Sequence, residues 1–293
     1  MEIKDIKPDS VKTVQVTRVD GFTQSGFSDM LSIEEPLEIR ISYVSGGNRV
    51  QKNISVTMRT PGNDFELATG FLFTEGIISS YGNVKDVYHT GIECSSQKRN
   101  TVQVDLQDDF VPHLMQSDRN FYTTSSCGVC GKSSIQSIKT VSTFSNLEKP
   151  RLVLTADILY HLPARLRSTQ SGFATTGGMH ACGLFNLNGD LTYIREDVGR
   201  HNALDKLIGC ALANDTLPLD RHILLLSGRA SFELVQKAAM AGIPIVAAIG
   251  APSSLAVELA QEFGITLLGF LRENRVNIYN SSDRILIPTS NEN

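Results

Sequence analysis

This sequence predicts an α/β protein with a smaller β-rich first part, and three observations support that. After about residue 150, strand-like and helix-like runs alternate in order, the pattern of a mainly parallel sheet covered by helices. Before that point the apolar residues recur with the period of strands rather than helices. The composition, 41% hydrophobic and 20% charged over 293 residues, suits a globular chain with a sizeable core and not a disordered one.

In the first part, Val11 to Val19, Leu37 to Val44 and Asn53 to Met58 read as strands, with Gly46-Gly47 turning the second into the third. A helix is expected from Asn63. This residue serves as N-cap, Glu66 closes a capping box, and Phe65, Leu67, Ala68, Phe71 and Leu72 form the apolar face. Gly76 is placed to stop it. Strands at Val84 to His89 and Thr101 to Leu106 precede a polar segment, Gln116 to Ser126.

In the second part, Ala156 to Ser168 reads as a helix kinked or restarted at Pro163. His180 to Leu187 and Leu191 to Arg195 form a hairpin across Asn188-Gly189. Helices are expected at Val198 to Ala213, Ser231 to Ala241 and Ser254 to Phe263. The strands are His222 to Leu226, Ile243 to Ile249, Thr266 to Phe270 and Val276 to Tyr279. The chain thus divides into residues 1–126, a connection 127–150, and residues 151–293.

A formal net charge of −4 argues against a dedicated nucleic-acid binder. The N-terminus has no signal-peptide core, and the longest apolar run, Ile243 to Ile249, is too short to span a bilayer. A cytoplasmic protein without membrane contact is therefore expected. Its five cysteines, at 94, 127, 130, 182 and 210, are expected as reduced thiols.

Cys127-Gly-Val-Cys130 carries the strongest chemical signal. Gly128 and Gly131 loosen the segment, and Ser125, Ser126 and Lys132 keep it wet, which is wrong for inert core cysteines. Such a pair can supply half a zinc site, run dithiol exchange, or carry sulfane sulfur as a persulfide. Zinc needs about four ligands, and no second Cys-x-x-Cys exists. His180-Ala-Cys182 lacks the glutamate of a zinc deaminase, and its Cys-x-x-Cys comes earlier in the chain. A polar loop, not a strand, precedes the pair, against a thioredoxin-like dithiol. Persulfide transfer asks only for an accessible thiolate on a flexible loop, which Lys132 would favour.

Several strand-to-helix junctions could hold anions: Ser227-Gly-Arg-Ala-Ser231, and Gly250-Ala-Pro252-Ser-Ser254. Each also reads as a plainly capped helix. In Glu196-Asp-Val-Gly199-Arg200-His201, Asp197 reads as an N-cap, and His201 and Asp205 stand one turn apart. That stretch is either a salt-bridged surface helix or a place where Gly199 admits a close backbone approach. Phe270-Leu-Arg272-Glu-Asn-Arg275 ends a strand with two arginines around a turn, suited to phosphate, or ordinary polar hairpin chemistry.

Taken together, Arg59-Thr-Pro-Gly-Asn63, Cys127-Gly-Val-Cys130-Gly, Thr176-Gly-Gly-Met-His180-Ala, Glu196-Asp-Val-Gly-Arg-His201-Asn-Ala-Leu-Asp-Lys206 and Ser227-Gly-Arg-Ala-Ser231 resemble the FdhD/NarQ family of formate dehydrogenase accessory proteins. The similarity runs from about Glu34 to Tyr279. It implies a cytidine-deaminase-like α/β/α core in residues 151–293 with a β-rich subdomain, reused without zinc, and a homodimer. It also implies a sulfurtransferase that takes sulfur from a cysteine desulfurase of the IscS type. The sulfur passes to Mo-bis(molybdopterin guanine dinucleotide), a bound substrate, before insertion into formate dehydrogenase. On this resemblance Cys127 carries the persulfide and Cys130 assists. The cofactor-contacting segment falls on Phe270, Leu271, Arg272, Glu273, Asn274 and Arg275, where Glu273 introduces an acid at a place expected to meet an anionic cofactor. The rival readings are a chaperone that only holds the molybdenum cofactor, and a zinc hydrolase on the same fold.

Overall fold

A computed structural model describes residues 10–90, 99–114, 144, 152–280 and 282–287. Cys94, Cys127, Cys130 and the polar segment before the cysteine pair lie outside them. The described residues form fourteen strands and six α-helices.

The chain opens with a long hairpin, β1 (Val11–Asp20) and β2 (Thr23–Ser32). The sequence reading found the first strand and missed the second. β3 (Glu35–Ser45) and β4 (Asn48–Arg59) then pair around Gly46 and Gly47, both at positive φ, as a two-residue hairpin turn requires. With β5 (Val84–His89) and β6 (Thr101–Leu106) they make a sheet of order β4-β3-β6-β5. Leu37, Ile39 and Ile41 alternate along β3, all fully buried, and Val102 and Val104 do the same on β6.

α1 (Asp64–Thr74) packs against β6. Asn63 precedes it with φ 57° and makes no side-chain capping bond, so the expected capping box does not form. Glu66 is engaged elsewhere: its carboxylate takes two hydrogen bonds from Arg195, at 2.6 and 2.7 Å. The expected stop does hold, with Gly76 at φ 72° just past the helix.

The second part builds a six-stranded sheet of order β13-β12-β11-β10-β8-β9. Its strands are β8 (His180–Asn186), β9 (Leu191–Asp197), β10 (His222–Leu226), β11 (Ile245–Ala248), β12 (Thr266–Arg272) and β13 (Arg275–Asn280). Only β10-β11 and β11-β12 are parallel; the other three pairs are antiparallel. The expectation of a mainly parallel sheet is corrected to a mixed one. Its parallel centre follows from the β-α-β order, but hairpins turn both flanks back.

Helices cover both faces. α2 (Ala156–Thr169) lies on one, with Leu159, Leu162 and Leu166 against Ile223, Leu225, Ile245 and Ala247. It runs unbroken through Pro163, contrary to the expected restart. A short α3 (Ser171–Thr176) follows directly. On the other face lie α4 (Arg200–Ala213), α5 (Phe232–Met240) and α6 (Ser254–Glu262), over Leu224, Leu226, Val246 and Ala248. β7 (Leu154–Thr155) and β14 (Ile285–Leu286) form a small parallel pair. One continuous apolar cluster joins the four-stranded sheet, α1, α4 and the six-stranded sheet. None of the helices formed by described residues is long and apolar enough to cross a membrane.

Candidate functional site

The two motifs around Arg59 and Glu196 turn out to join the halves of the molecule. Asp197, expected as an N-cap, ends β9 instead, fully buried; Gly199 is the N-cap of α4. Asp197 Oδ2 accepts from the Thr60 amide at 3.1 Å and meets Lys206 Nζ at 2.7 Å, and Lys206 also donates to the Thr60 carbonyl at 2.8 Å. Asn202 donates to the Met58 carbonyl at 2.7 Å. These groups are buried and paired, so α4 is not the salt-bridged surface helix that its charges suggested. His201 and Asp205 do not pair with each other. His201 meets Glu233 at 2.9 Å, and Asp205 binds Lys237 Nζ with both oxygens, at 2.9 Å each.

Glu196, beside Asp197, reaches the other way. Its two oxygens accept from the backbone amides of Gly172 and Phe173 at 2.9 Å each, fixing α3. Burial raises its pKa, and those two hydrogen bonds oppose the rise. Gly172 is itself a close-contact position: a Cβ there would fall 2.4 Å from Met179 Sδ. Together these contacts hold α3 against the end of β8.

There, at the carboxyl ends of the parallel strands, lies a cleft of about 550 Å³. Ser227 and Ile249, which follow β10 and β11, and His180, which opens the antiparallel β8, form its floor. In open α/β sheets this is the end where ligands bind. Phe173 and Arg167 form a wall, with the guanidinium 4.0 Å over the ring. His180 titrates below its ordinary value, chiefly through burial and then through Arg200 and His201, so at neutral pH it offers an uncharged imidazole. Ser227 Oγ accepts from the Ala181 amide at 2.8 Å.

The hairpin of β12 and β13 sits beside this cleft. Arg272 and Arg275 face each other across the turn Glu273-Asn274, and all four residues are exposed. Arg272 Nη1 donates to the carbonyls of Ile249 and Leu271 at 2.7 and 2.8 Å, tying the turn to a residue of the cleft. Phe270 stands at a register shift with φ 52°, a strained value for a bulky side chain, and its amide donates to the Gly250 carbonyl at 3.0 Å. That geometry leaves Phe270 37% exposed. Leu271, by contrast, is fully buried in the core, so its side chain presents nothing to a ligand.

The two expected cysteine-pair residues, Cys127 and Cys130, lie outside the described residues. Cys182 and Cys210 are both buried. Burial, reinforced by Asp205 and Asp197, pushes the Cys182 thiol far up, and burial likewise raises Cys210. Neither supplies a thiolate at neutral pH. Among the described residues no three His, Cys, Asp or Glu side chains converge as a metal site would require.

The sequence reading missed Arg167, Gln170, Phe173 and Met179 as cleft residues. Their shared location depends on how α2 and α3 meet β8, and no spacing in the chain announces it. Glu196 was inside a quoted motif, but its partners are backbone amides and leave no sequence trace.

Fold and site thus define the class: a helix-covered mixed α/β sheet with an open cleft at the carboxyl ends of its parallel strands. The chain belongs to the FdhD/NarQ family, whose model matches residues 32–286. It is 52% identical over 259 residues to a protein of Mycolicibacterium paratuberculosis named sulfur carrier protein FdhD, covering 88% of this chain and 92% of that one. A Streptomyces coelicolor protein of the same name is 47% identical, covering 93% and 95%. A crystal structure from Desulfotalea psychrophila, presented as that of a formate dehydrogenase accessory protein, superposes with a TM-score of 0.70. It covers 94% of this chain and all of that one, at 23% identity.

Proposed function

We propose that this protein is a sulfur carrier acting as a sulfurtransferase in formate dehydrogenase maturation. Relatives named sulfur carriers, matched over most of the chain, support the role. The observation that directs the chemistry is the burial of Cys182 and Cys210, which sets both aside as sulfur bearers; of the three remaining cysteines, the Cys127–Cys130 pair, on its glycine-flanked polar segment, is the one suited to the task.

The Cys127 thiolate attacks the outer sulfur of a persulfide on a cysteine desulfurase of the IscS type. An S–S bond forms on Cys127 and the donor's cysteine leaves as a thiolate. For delivery, the Cys130 thiolate attacks the Cys127 sulfur, and hydrosulfide departs to become a ligand of molybdenum. The resulting Cys127–Cys130 disulfide is returned to thiols by a dithiol reductant. The substrate is Mo-bis(molybdopterin guanine dinucleotide), gripped by Phe270, Arg272 and Arg275 through its anionic arms. Glu273, between the arginines, weakens the local positive field.

In this reading the protein works in the cytoplasm as a homodimer. Residues 151–293 form a cytidine-deaminase-like core reused without zinc, residues 1–126 a β-rich subdomain, and 127–150 the sulfur-bearing connection. The three parallel strands at the centre of the sheet, with helices on both faces, support that core.

Incubation with a desulfurase and cysteine, followed by mass spectrometry, tests the reading. One added sulfur is expected on Cys127, and Cys127→Ala is expected to lose both loading and formate dehydrogenase maturation; Cys130→Ala should be milder, keeping loading and slowing only the release, which the dithiol reductant can then perform by attacking the Cys127 sulfur itself. A Cys127→Ala protein that still matures its client would leave a cofactor-holding chaperone as the function.

A further inference from the structure

The hairpin of β1 and β2 stands apart as a sheet of its own, ten residues to each strand and without a break in register. No residue of either strand is buried. Val19, Met30 and Leu31 are exposed, and Phe22 at the tip is wholly so. A two-stranded ribbon is at best marginally stable in water, and independent stability takes three strands or a packed face. The base is fixed: the Ile33 amide donates to the Ser10 carbonyl at 2.9 Å, and the Ser32 and Thr176 hydroxyls lie 2.7 Å apart where β2 meets α3. The ribbon is thus an arm held at its root and open along its length.

Its two edges differ. Natural sheets guard an open edge with lysine and other charges, with proline, or with bulges. The edges of the two larger sheets, β4, β5, β9 and β13, each carry lysine or arginine and each hold a register shift. β1 carries Lys12 and Arg18. β2 has no basic residue, no proline and no bulge, and Asp29 is its single charge. An unguarded edge of this length is a template for another strand.

That edge fits a copy of itself. A two-fold axis through Phe27, perpendicular to the ribbon, lays β2 antiparallel to the same strand of a second copy. Asp29 then falls opposite Ser25 of the partner subunit, so no like charges meet. Phe27, already under the Arg18 guanidinium at 4.2 Å, meets the partner's Phe27, and aromatic cross-strand pairs of this kind are stabilising. Ser32, held by α3, stays outside the paired stretch. Two ten-residue strands from each copy approach the roughly 20–30 residues a side of a stable interface.

We propose that the β1–β2 arm joins two copies of this chain, edge to edge along β2, into a four-stranded sheet. The proposal rests on the homodimer reading above and names the surface that makes it.

Sedimentation velocity on the full chain tests this, and wild type is expected to be a dimer. Gln24→Lys with Met30→Lys sets lysine opposite lysine twice across the axis. Both positions are exposed, so far-UV circular dichroism should be unchanged while dimer affinity falls about tenfold or more. Gln24→Lys with Met30→Glu sets opposite charges there instead and should dimerise at least as well as wild type. A double-lysine variant that dimerises like wild type, or a lysine–glutamate variant as weak as it, overturns the arm pairing and leaves the homodimer reading standing. A monomeric wild type overturns both. If hydrogen exchange of that monomer then shows Gln24 to Leu31 protected only when formate dehydrogenase is added, the edge belongs to the client and not to a second copy.

Discussion

Gly70 of α1 and Gly209 of α4 bring two helix backbones into direct contact. A Cβ on Gly70 would fall 1.9 Å from the Asp205 carbonyl oxygen, and one on Gly209 would fall 1.9 Å from that of Glu66. Both clashes are with backbone, which has no rotamer to escape into. This crossing, more than any side chain, sets how closely the two halves of the molecule approach.

Gly70→Ala and Gly209→Ala are therefore expected to be destabilising despite alanine's better helix propensity. Overpacking costs about 1–3 kcal/mol where side chains can yield, and rigid backbone contacts should reach or exceed the top of that range. Urea denaturation checks it. Gly26→Ala, where a Cβ would meet nothing within 4 Å, is the control and should stay close to wild type.

The buried pair just beside this crossing gives a second expectation. Lys237 Nζ lies 2.9 Å from both Asp205 oxygens and from Thr74 Oγ1, and both charged side chains are almost wholly buried. Lys237→Met strands an aspartate whose pKa is already raised by burial and which then loses the ammonium that opposes the rise. The expected loss is about 3–5 kcal/mol. Lys237→Met with Asp205→Leu should be more stable than Lys237→Met alone. A double-mutant cycle by chemical denaturation reads the coupling directly.

How much of this was legible beforehand depended on whether a feature is local. The alternation of Leu37, Ile39 and Ile41, and the apolar block Ile223 to Leu226, placed strands well because period and burial are local. β2 was missed because Thr23 to Ser32 mixes Gly, Ser and Asp into its alternation and is mostly exposed. The antiparallel flanks of the large sheet were misjudged because β8 pairs with β10 across an intervening helix, which element order alone does not reveal. At the site, the arginine turn was marked by its residues and by resemblance. Gln170 carried no signal at all: it lines the cleft only because α2 and α3 meet there, which only three dimensions display.

Acid should weaken the fold in part through histidines. His89, His180 and His222 all titrate below the ordinary 6.5, each chiefly because burial disfavours the charged ring. Below about pH 6.5 the unfolded chain therefore binds protons that the native chain does not. Stability contributed by these rings is present above that pH and is lost as pH falls toward their native values. Glu196 and Asp205, both raised, act in the opposite direction, so the net slope is a balance. His222→Gln isolates one component: between pH 7.5 and 5.5 its urea midpoint should fall less than that of wild type. An unchanged slope would mean that His222 is equally protonated in both states.

Glu196 offers the sharpest separation of cleft from sulfur chemistry. Its carboxylate receives the amides of Gly172 and Phe173, so it acts on any ligand only through α3. Glu196→Ala leaves those two donors without their acceptor, at an expected cost of about 1–3 kcal/mol, part of which water will recover. The change should also let α3 and the Phe173 wall shift, so binding of GDP, a fragment of the proposed substrate, should weaken several-fold while the turn at Arg272, held by the Ile249 carbonyl, keeps its place. Glu196→Asp retains the charge but shortens the reach, and should fall between wild type and alanine. Calorimetry on the three proteins, at a temperature where all are folded, gives the order. Sulfur loading of Cys127 measured alongside should be the same in all three, because among the described residues the carboxylate of Glu196 bonds only the α3 amides. Weakened loading in step with weakened GDP binding would instead show that the cleft and the cysteine segment act as one site.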